Sequence, residues 1–146
     1  MKLIAVAGLE VRPSSISGKG CFATAPWPKR RKIAEYVGER IGRAEAKRRT
    51  LGKSVIKCVG IDSYWSVDAT RWGNPTAFLN HCCDPNTRMI VRYGRVELYA
   101  LRDIAPGEEL TLDYEFSQHP DSKRCTCGAV NCRGTINKLK GHSQTR

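Results

Sequence analysis

The chain is 146 residues long and carries 25 Lys+Arg against 14 Asp+Glu, a formal net charge of +11. With 40% hydrophobic residues it can bury a real core, which excludes disorder throughout and points to one domain rather than two. The apolar stretch from Met1 to Leu9 contains Gly8, runs at once into Glu10 and Arg12, and falls far short of the ~20 apolar residues of a membrane span. Nothing resembles a cleavage site, so the expectation is a soluble chain with no membrane association, in a reducing intracellular compartment.

Short apolar runs separated by 13 glycines and 7 prolines read as mostly strand. In chain order, Ser17-Gly18-Lys19-Gly20-Cys21-Phe22 is a glycine turn, and Pro28-Lys29-Arg30-Arg31-Lys32 is a basic, exposed turn. Residues 33–37 form a strand. The longest helix is expected over 43–51, where Ala44, Glu45, Ala46 and Lys47 favour helix and Gly52 stops it. A short helical turn starts at Pro75, because proline fits the first helical position. Residues 87–93 and 96–101 read as a hairpin turning at Gly94-Arg95, and a further strand over 110–114 follows the turn at Pro106-Gly107. After Ile136 the chain becomes a polar, basic tail.

Charge reverses along the chain. Residues 1–60 hold 14 basic and 4 acidic side chains, residues 61–121 hold 5 and 10, and residues 122–146 hold 6 and none. An acidic middle between basic ends suits a lysine-rich partner at the middle and a polyanion such as nucleic acid at the ends.

Of the seven cysteines, Cys82 and Cys83 are adjacent and Cys125 and Cys127 are two apart, spacings that would strain a disulfide. Cys125-Thr126-Cys127-Gly128-Ala129-Val130-Asn131-Cys132 supplies three thiolates to a metal that wants four ligands in a tetrahedron. On composition the fourth is open among Cys21, Cys58, Cys82, Cys83 and the histidines. A second cluster, from Gly73-Asn74-Pro75 to Asn80-His81-Cys82-Cys83-Asp84-Pro85-Asn86, is a polar, turn-rich loop.

In order along the chain, Gly18-Lys19-Gly20, Glu35-Tyr36-Val37-Gly38-Glu39, Asp68-Ala69 through Asn86, Gly107-Glu108-Glu109-Leu110-Thr111-Leu112-Asp113-Tyr114 and the Cys125 to Cys132 cluster resemble the SET-domain protein lysine methyltransferases. The resemblance covers residues ~10–137 in the family's own order. It implies a mostly β fold of small curved sheets with short helices, the β-clip type, whose C-terminal strand crosses a loop as a pseudoknot. A SET domain over 1–121, a post-SET zinc segment over 122–137 and a disordered basic tail over 138–146 follow from it. S-adenosylmethionine is expected at Gly18, Lys19, Gly20, Tyr64, Asn80, His81 and Tyr114. Tyr36 and Tyr114 would be the catalytic residues and, with Leu112 and Phe116, would line the channel for the substrate lysine. Zinc would be held by Cys83, Cys125, Cys127 and Cys132. Cys82 stands where the family usually has Ser, and Ala77 where it usually has Arg.

The expected activity is therefore S-adenosylmethionine-dependent protein-lysine methylation, with histone or histone-like basic proteins as substrates, in cytoplasm or on chromatin. A catalytically silent SET-like module is disfavoured by intact Tyr114, Asn80 and His81. A small zinc-containing nucleic-acid-binding protein would leave the Gly73–Asn86 and Gly107–Tyr114 segments unexplained.

Overall fold

The computed structural model describes residues 2–52, 56–114 and 125–135. It builds three small sheets. The first has the order β1-β2-β10-β7, from Leu9–Pro13, Lys19–Ala23, Glu109–Leu112 and Asn80–His81. The second is β3-β9-β8, from Lys32–Tyr36, Arg95–Ala100 and Thr87–Arg92, and the third is β4-β6-β5, from Glu39–Gly42, Trp65–Asp68 and Cys58–Gly60. One α-helix, α1, spans Arg43–Thr50, and a 3-10 helix spans Pro75–Phe78.

Side-chain periodicity explains the central hairpin. Along β9, Val96, Leu98 and Ala100 are buried while Arg95, Glu97 and Tyr99 lie on the more accessible face. Arg92 pairs with Arg95, so the turn is Tyr93-Gly94, one residue earlier than the spacing predicts. Both turn residues have positive φ, 51° and 74°, which matches the twist of a tight hairpin. Helix α1 ends one residue short of expectation, with Leu51 at its C-cap. It buries only Ala46, and Arg49 fastens it to the third sheet through Glu39 and Asp68, each at 2.9 Å.

Two apolar clusters fill the spaces between sheets. The larger joins Leu9, Cys21, Ile33, Leu79, Leu98, Ile104 and Leu110; the smaller joins Tyr36, Val67, Ala69, Ala77 and Val96. Leu98 and Leu110 are wholly inaccessible, and burying each stabilises the fold by about 1.5–3 kcal/mol. Tyr36 thus reaches its place as a core residue of the smaller cluster.

The pairing that positions the site is parallel: Thr111 lies beside Asn80, and Leu112 beside His81. On its other side β10 pairs antiparallel with β2, Leu110 against Cys21. Asn86 locks the crossing from the loop. Its side-chain oxygen accepts from the Thr111 N–H at 2.8 Å, and its amide donates to the Glu109 carbonyl at 2.9 Å. The C-terminal strand is thereby held against the 80–87 loop, the crossing that the family resemblance implies. Among the described residues no helix is long and apolar enough to cross a membrane.

Candidate active site and metal centre

Tyr114 follows β10, and its hydroxyl donates to the Leu79 carbonyl while its backbone N–H donates to His81 Nδ1 at 2.9 Å. With Nδ1 accepting, His81 is neutral and carries its proton on Nε2. Burial pushes its pKa down to about 4, Asp113 pulling upward and Arg133 downward. The His81 and Tyr114 rings meet edge to face, 5.4 Å between centroids. Tyr36 is buried, and its hydroxyl donates to the Lys57 carbonyl at 2.8 Å. Burial holds both phenols above the ordinary tyrosine range, assisted at Tyr36 by Tyr114, Cys58 and Asp68 and at Tyr114 by Glu109.

Asn80 does work that its motif does not reveal. Its amide nitrogen lies 3.1 Å from the carbonyls of both Ser17 and Lys19, and 2.9 Å from Glu109 Oε2. It ties the Gly18-Lys19-Gly20 turn to β10. Ser14, whose hydroxyl contacts Glu109 at 2.8 Å, completes this cluster. Ser14 escaped the sequence reading and Glu109 stood in it only as part of the Gly107–Tyr114 motif, because the contact that joins them spans 95 residues of chain. Gly20 makes room for Glu109: a Cβ there would stand 2.3 Å from Oε2.

Beside that turn opens a cavity of about 470 Å³ lined by Leu3, Val11, Arg12, Pro13, Lys19 and Phe78. Its size suits a small-molecule ligand. Val11, Pro13 and Phe78 offer an apolar wall, while Lys19 and Arg12 offer cations for an anionic group. Gly18, Lys19, Gly20, Asn80, His81 and Tyr114 are thus gathered around β7, β10 and the glycine turn, with Tyr36 on the adjoining cluster. Tyr64 is not among them. It sits 77% exposed on the turn before β6, held through its backbone N–H to Asp62 at 2.7 Å. Leu112 is half-buried against the larger core. Phe116 and the 138–146 tail lie outside the described residues.

The metal question left open by spacing has a geometric answer. The sulfurs of Cys83, Cys125, Cys127 and Cys132 all lie within 4.8 Å of one another. The Cys83 and Cys125 sulfurs are 3.8 Å apart, the edge expected of a tetrahedron with metal–sulfur bonds of about 2.3 Å. N–H groups surround the cluster as they surround thiolates: Cys83 Sγ faces the Arg133 N–H at 3.4 Å, and the Cys83 N–H faces Cys127 Sγ at 3.5 Å. Although burial opposes it, backbone donation from Cys83 and Ala129 brings the Cys127 thiol down to about 6. These four residues fit a tetrahedral thiolate metal. Cys21, Cys58 and Cys82 are not in this group of four, although Cys82 interacts with Cys127; burial pushes all three thiols up, to about 12 at Cys21 and about 11 at Cys58.

The cysteine segment is also fastened to the site directly. Arg133 grips Asp113 with Nη1 at 2.9 and 3.0 Å from its two oxygens, and the Thr126 hydroxyl donates to the Ile16 carbonyl at 3.0 Å. His81 Nε2 stands 3.2 Å from Cys83 Sγ, so one residue joins the cysteine cluster to Tyr114.

Comparison with known proteins shows the family. The family pattern for the SET domain matches residues 18–115. The chain belongs to the SET-domain family. Its relatives include "Histone-lysine N-methyltransferase, H3 lysine-4 specific" of Eremothecium gossypii, 41% identical over 138 residues, covering 85% of this chain and 14% of that protein. The protein of the same name in Schizosaccharomyces pombe is 41% identical over 142 residues, covering 88% of this chain and 15% of the relative. The Saccharomyces cerevisiae protein of that name is 41% identical over 138 residues, 85% of this chain and 13% of its own length. This SET-domain chain therefore spans about one seventh of the length of these relatives.

Proposed function

We propose that the chain is an S-adenosylmethionine-dependent protein-lysine N-methyltransferase acting on histone or histone-like basic proteins, with a structural zinc at Cys83, Cys125, Cys127 and Cys132. The observation that carries this reading is the pairing of β7 with β10, which brings Tyr114, its hydroxyl on the Leu79 carbonyl, against His81, next in the chain to the Asn80 that contacts the glycine turn. The bound cofactor would supply a methyl group on a sulfonium, held by the turn Gly18-Lys19-Gly20 and the cavity that Lys19 and Phe78 line. Everything else falls to the protein's own side chains.

Methyl transfer needs a neutral amine with its lone pair aimed along one axis, and aligning the two reactants can lower the barrier by ~7–11 kcal/mol. Tyr36 and Tyr114 have both committed their hydroxyl protons to backbone carbonyls, of Lys57 and Leu79. Their oxygens therefore have only lone pairs left to present. An entering amine donates its N–H bonds to those oxygens and keeps its own lone pair free for attack. Burial between aromatic walls disfavours the ammonium form, which supplies the neutral amine without an obligate base. His81, neutral and fastened to the Tyr114 backbone, orients rather than catalyses.

The acidic stretch 61–121 includes Asp68, Asp84, Glu108, Glu109 and Asp113, a field that attracts a lysine-rich tail. The named relatives make histone H3 the first substrate to try and chromatin the first location. Domain limits of 1–121 and 122–137 fit this assignment, as does a nucleic-acid contact through Lys29, Arg30, Arg31 and Lys32. Such a contact is checked by neutralising those four residues and asking whether the salt dependence of binding to DNA-associated substrate flattens.

The deciding experiment incubates the chain with histone H3 and isotope-labelled S-adenosylmethionine and locates methyl groups by mass spectrometry. Methyl-lysine is the expected product. Tyr114→Phe should lower turnover by about 10²-fold while leaving cofactor binding intact. No transfer by folded, zinc-loaded protein to any histone would overturn the reading, and full turnover in the Phe variant would overturn the role of Tyr114.

A further inference from the structure

Lys57 lies between Tyr36, which its backbone contacts, and Phe78, which its side chain covers. Its carbonyl accepts two hydrogen bonds at 2.8 Å, one from the Tyr36 hydroxyl and one from the Ala69 N–H, so its backbone is pinned to the wall of the lysine channel. Its side chain is half-buried and sets Nζ 4.3 Å from the centroid of the Phe78 ring. Phe78 also forms a wall of the cavity beside Lys19, and the next residue, Leu79, holds the Tyr114 hydroxyl. Among the described residues no carboxylate forms an ion pair with Lys57. Asp68, the acid whose charge reaches it, is engaged by Arg49 at 2.9 Å. Burial lowers the Lys57 pKa below the usual lysine range, with Asp68 pulling the other way.

An amine lying on an aromatic face, between the channel tyrosine and the cavity, occupies the surroundings that a substrate lysine requires. Resting on the methyltransferase reading above, we propose that Lys57 is itself a methyl acceptor, modified by the chain's own site in an intramolecular reaction. In that step the neutral Nζ lone pair forms a bond to the methyl carbon of the sulfonium donor as the carbon–sulfur bond breaks. The bonding pair stays on sulfur, leaving a neutral thioether, and the positive charge moves to nitrogen, which can then release a proton to water. The methylated ammonium keeps its charge and gains apolar contact with Phe78, a favourable cation–π partner.

The alternative is a lysine that only covers Phe78 with its aliphatic stem. Two measurements separate them. In the first, the full chain without donor is labelled with limiting acetic anhydride across a pH series. The Lys57 midpoint should fall below that of exposed Lys29, since each pK unit of lowering raises the neutral fraction about tenfold. Coincident midpoints would overturn the proposal. In the second, the chain is incubated with methyl-deuterated S-adenosylmethionine, with and without histone H3, and mapped by mass spectrometry. Label on Lys57, appearing at a first-order rate that is independent of protein concentration and absent in Lys57→Arg, supports it. A rate proportional to concentration overturns the intramolecular step. Methylated H3 with unlabelled Lys57 overturns this inference and leaves the proposed function standing, whereas no label on either overturns both.

Discussion

Tyr36 and Tyr114 show how much of the chemistry depends on where a phenol's single proton goes. Because burial keeps both above the ordinary tyrosine range, they stay protonated through neutral and alkaline pH and donate to their carbonyls throughout. The group that titrates is then the substrate amine, whose free pKa is about 10.4. The rate should rise between pH 6 and 9 as the neutral fraction grows; a flat profile with chemistry shown to limit the rate would contradict this. Leu112 sits two residues before Tyr114 and has no hydroxyl to hold a water in the channel. The wild-type chain should therefore add more than one methyl group to a lysine, and Leu112→Tyr should restrict the product, as read by mass spectrometry of an exhaustive reaction. Strict monomethylation by wild type would show that another side chain fills the gap. Tyr36, Asn80, His81 and Tyr114 are legible from their motifs, whereas Ser14 carries no local mark and the contacts of Glu109 are not written in its motif. The exposure of Tyr64 is not legible either, because an aromatic beside a strand looks the same in sequence whether it faces a pocket or, as here, solvent.

Short strands depend on their partners. The hairpin of β8 and β9 could be read from alternation because each strand has 6 residues and its partner is next in the chain. β5, with 3 residues, and β7, with 2, have no periodicity to read; β5 leans on β6, next in the chain, and β7 exists because the distant β10 completes its hydrogen bonds. Gly38 shows the same dependence in a single position. A Cβ there would stand 2.3 Å from the Asp68 carbonyl oxygen and 2.7 Å from the Ala69 Cα, backbone that has nowhere to yield. Gly38→Ala should cost about 1–3 kcal/mol in urea unfolding by forcing β4 and the 68–69 backbone apart. An unchanged midpoint would mean that the contact relaxes freely. Tyr36 and Asp68 flank this approach, so methyl transfer should fall more than stability alone accounts for.

The cysteine cluster joins distant parts of the chain, taking Cys83 from the loop after β7 and three sulfurs from the last described segment. Folding and metal binding are coupled in such a site. Freshly purified protein should contain one zinc per chain, and chelation or Cys127→Ser should lower the thermal midpoint by at least about 5 °C and abolish turnover. Absence of zinc, or full activity in the Ser variant, would refute the structural role. Loss of activity is expected because Arg133 and Thr126 carry the cysteine segment onto Asp113 and the glycine turn, and His81 bridges the cluster to Tyr114.

Composition and motif order were enough to read a mostly β domain, the family, the three clustered thiolates and the loop that carries Asn80 and His81, since each of these is written in neighbouring residues. The identity of the fourth sulfur rested on resemblance until the chain brought Cys83 next to Cys125 across 42 positions. Tertiary structure alone decided that Asn80 fastens the glycine turn to Glu109, that the Tyr36 and Tyr114 phenols donate to backbone carbonyls, that Tyr64 faces solvent, and that Lys57 lies over Phe78. The physical reason is common to all four. Hydrogen-bond direction and burial depend on which distant backbone arrives within about 3 Å, and no local pattern encodes that.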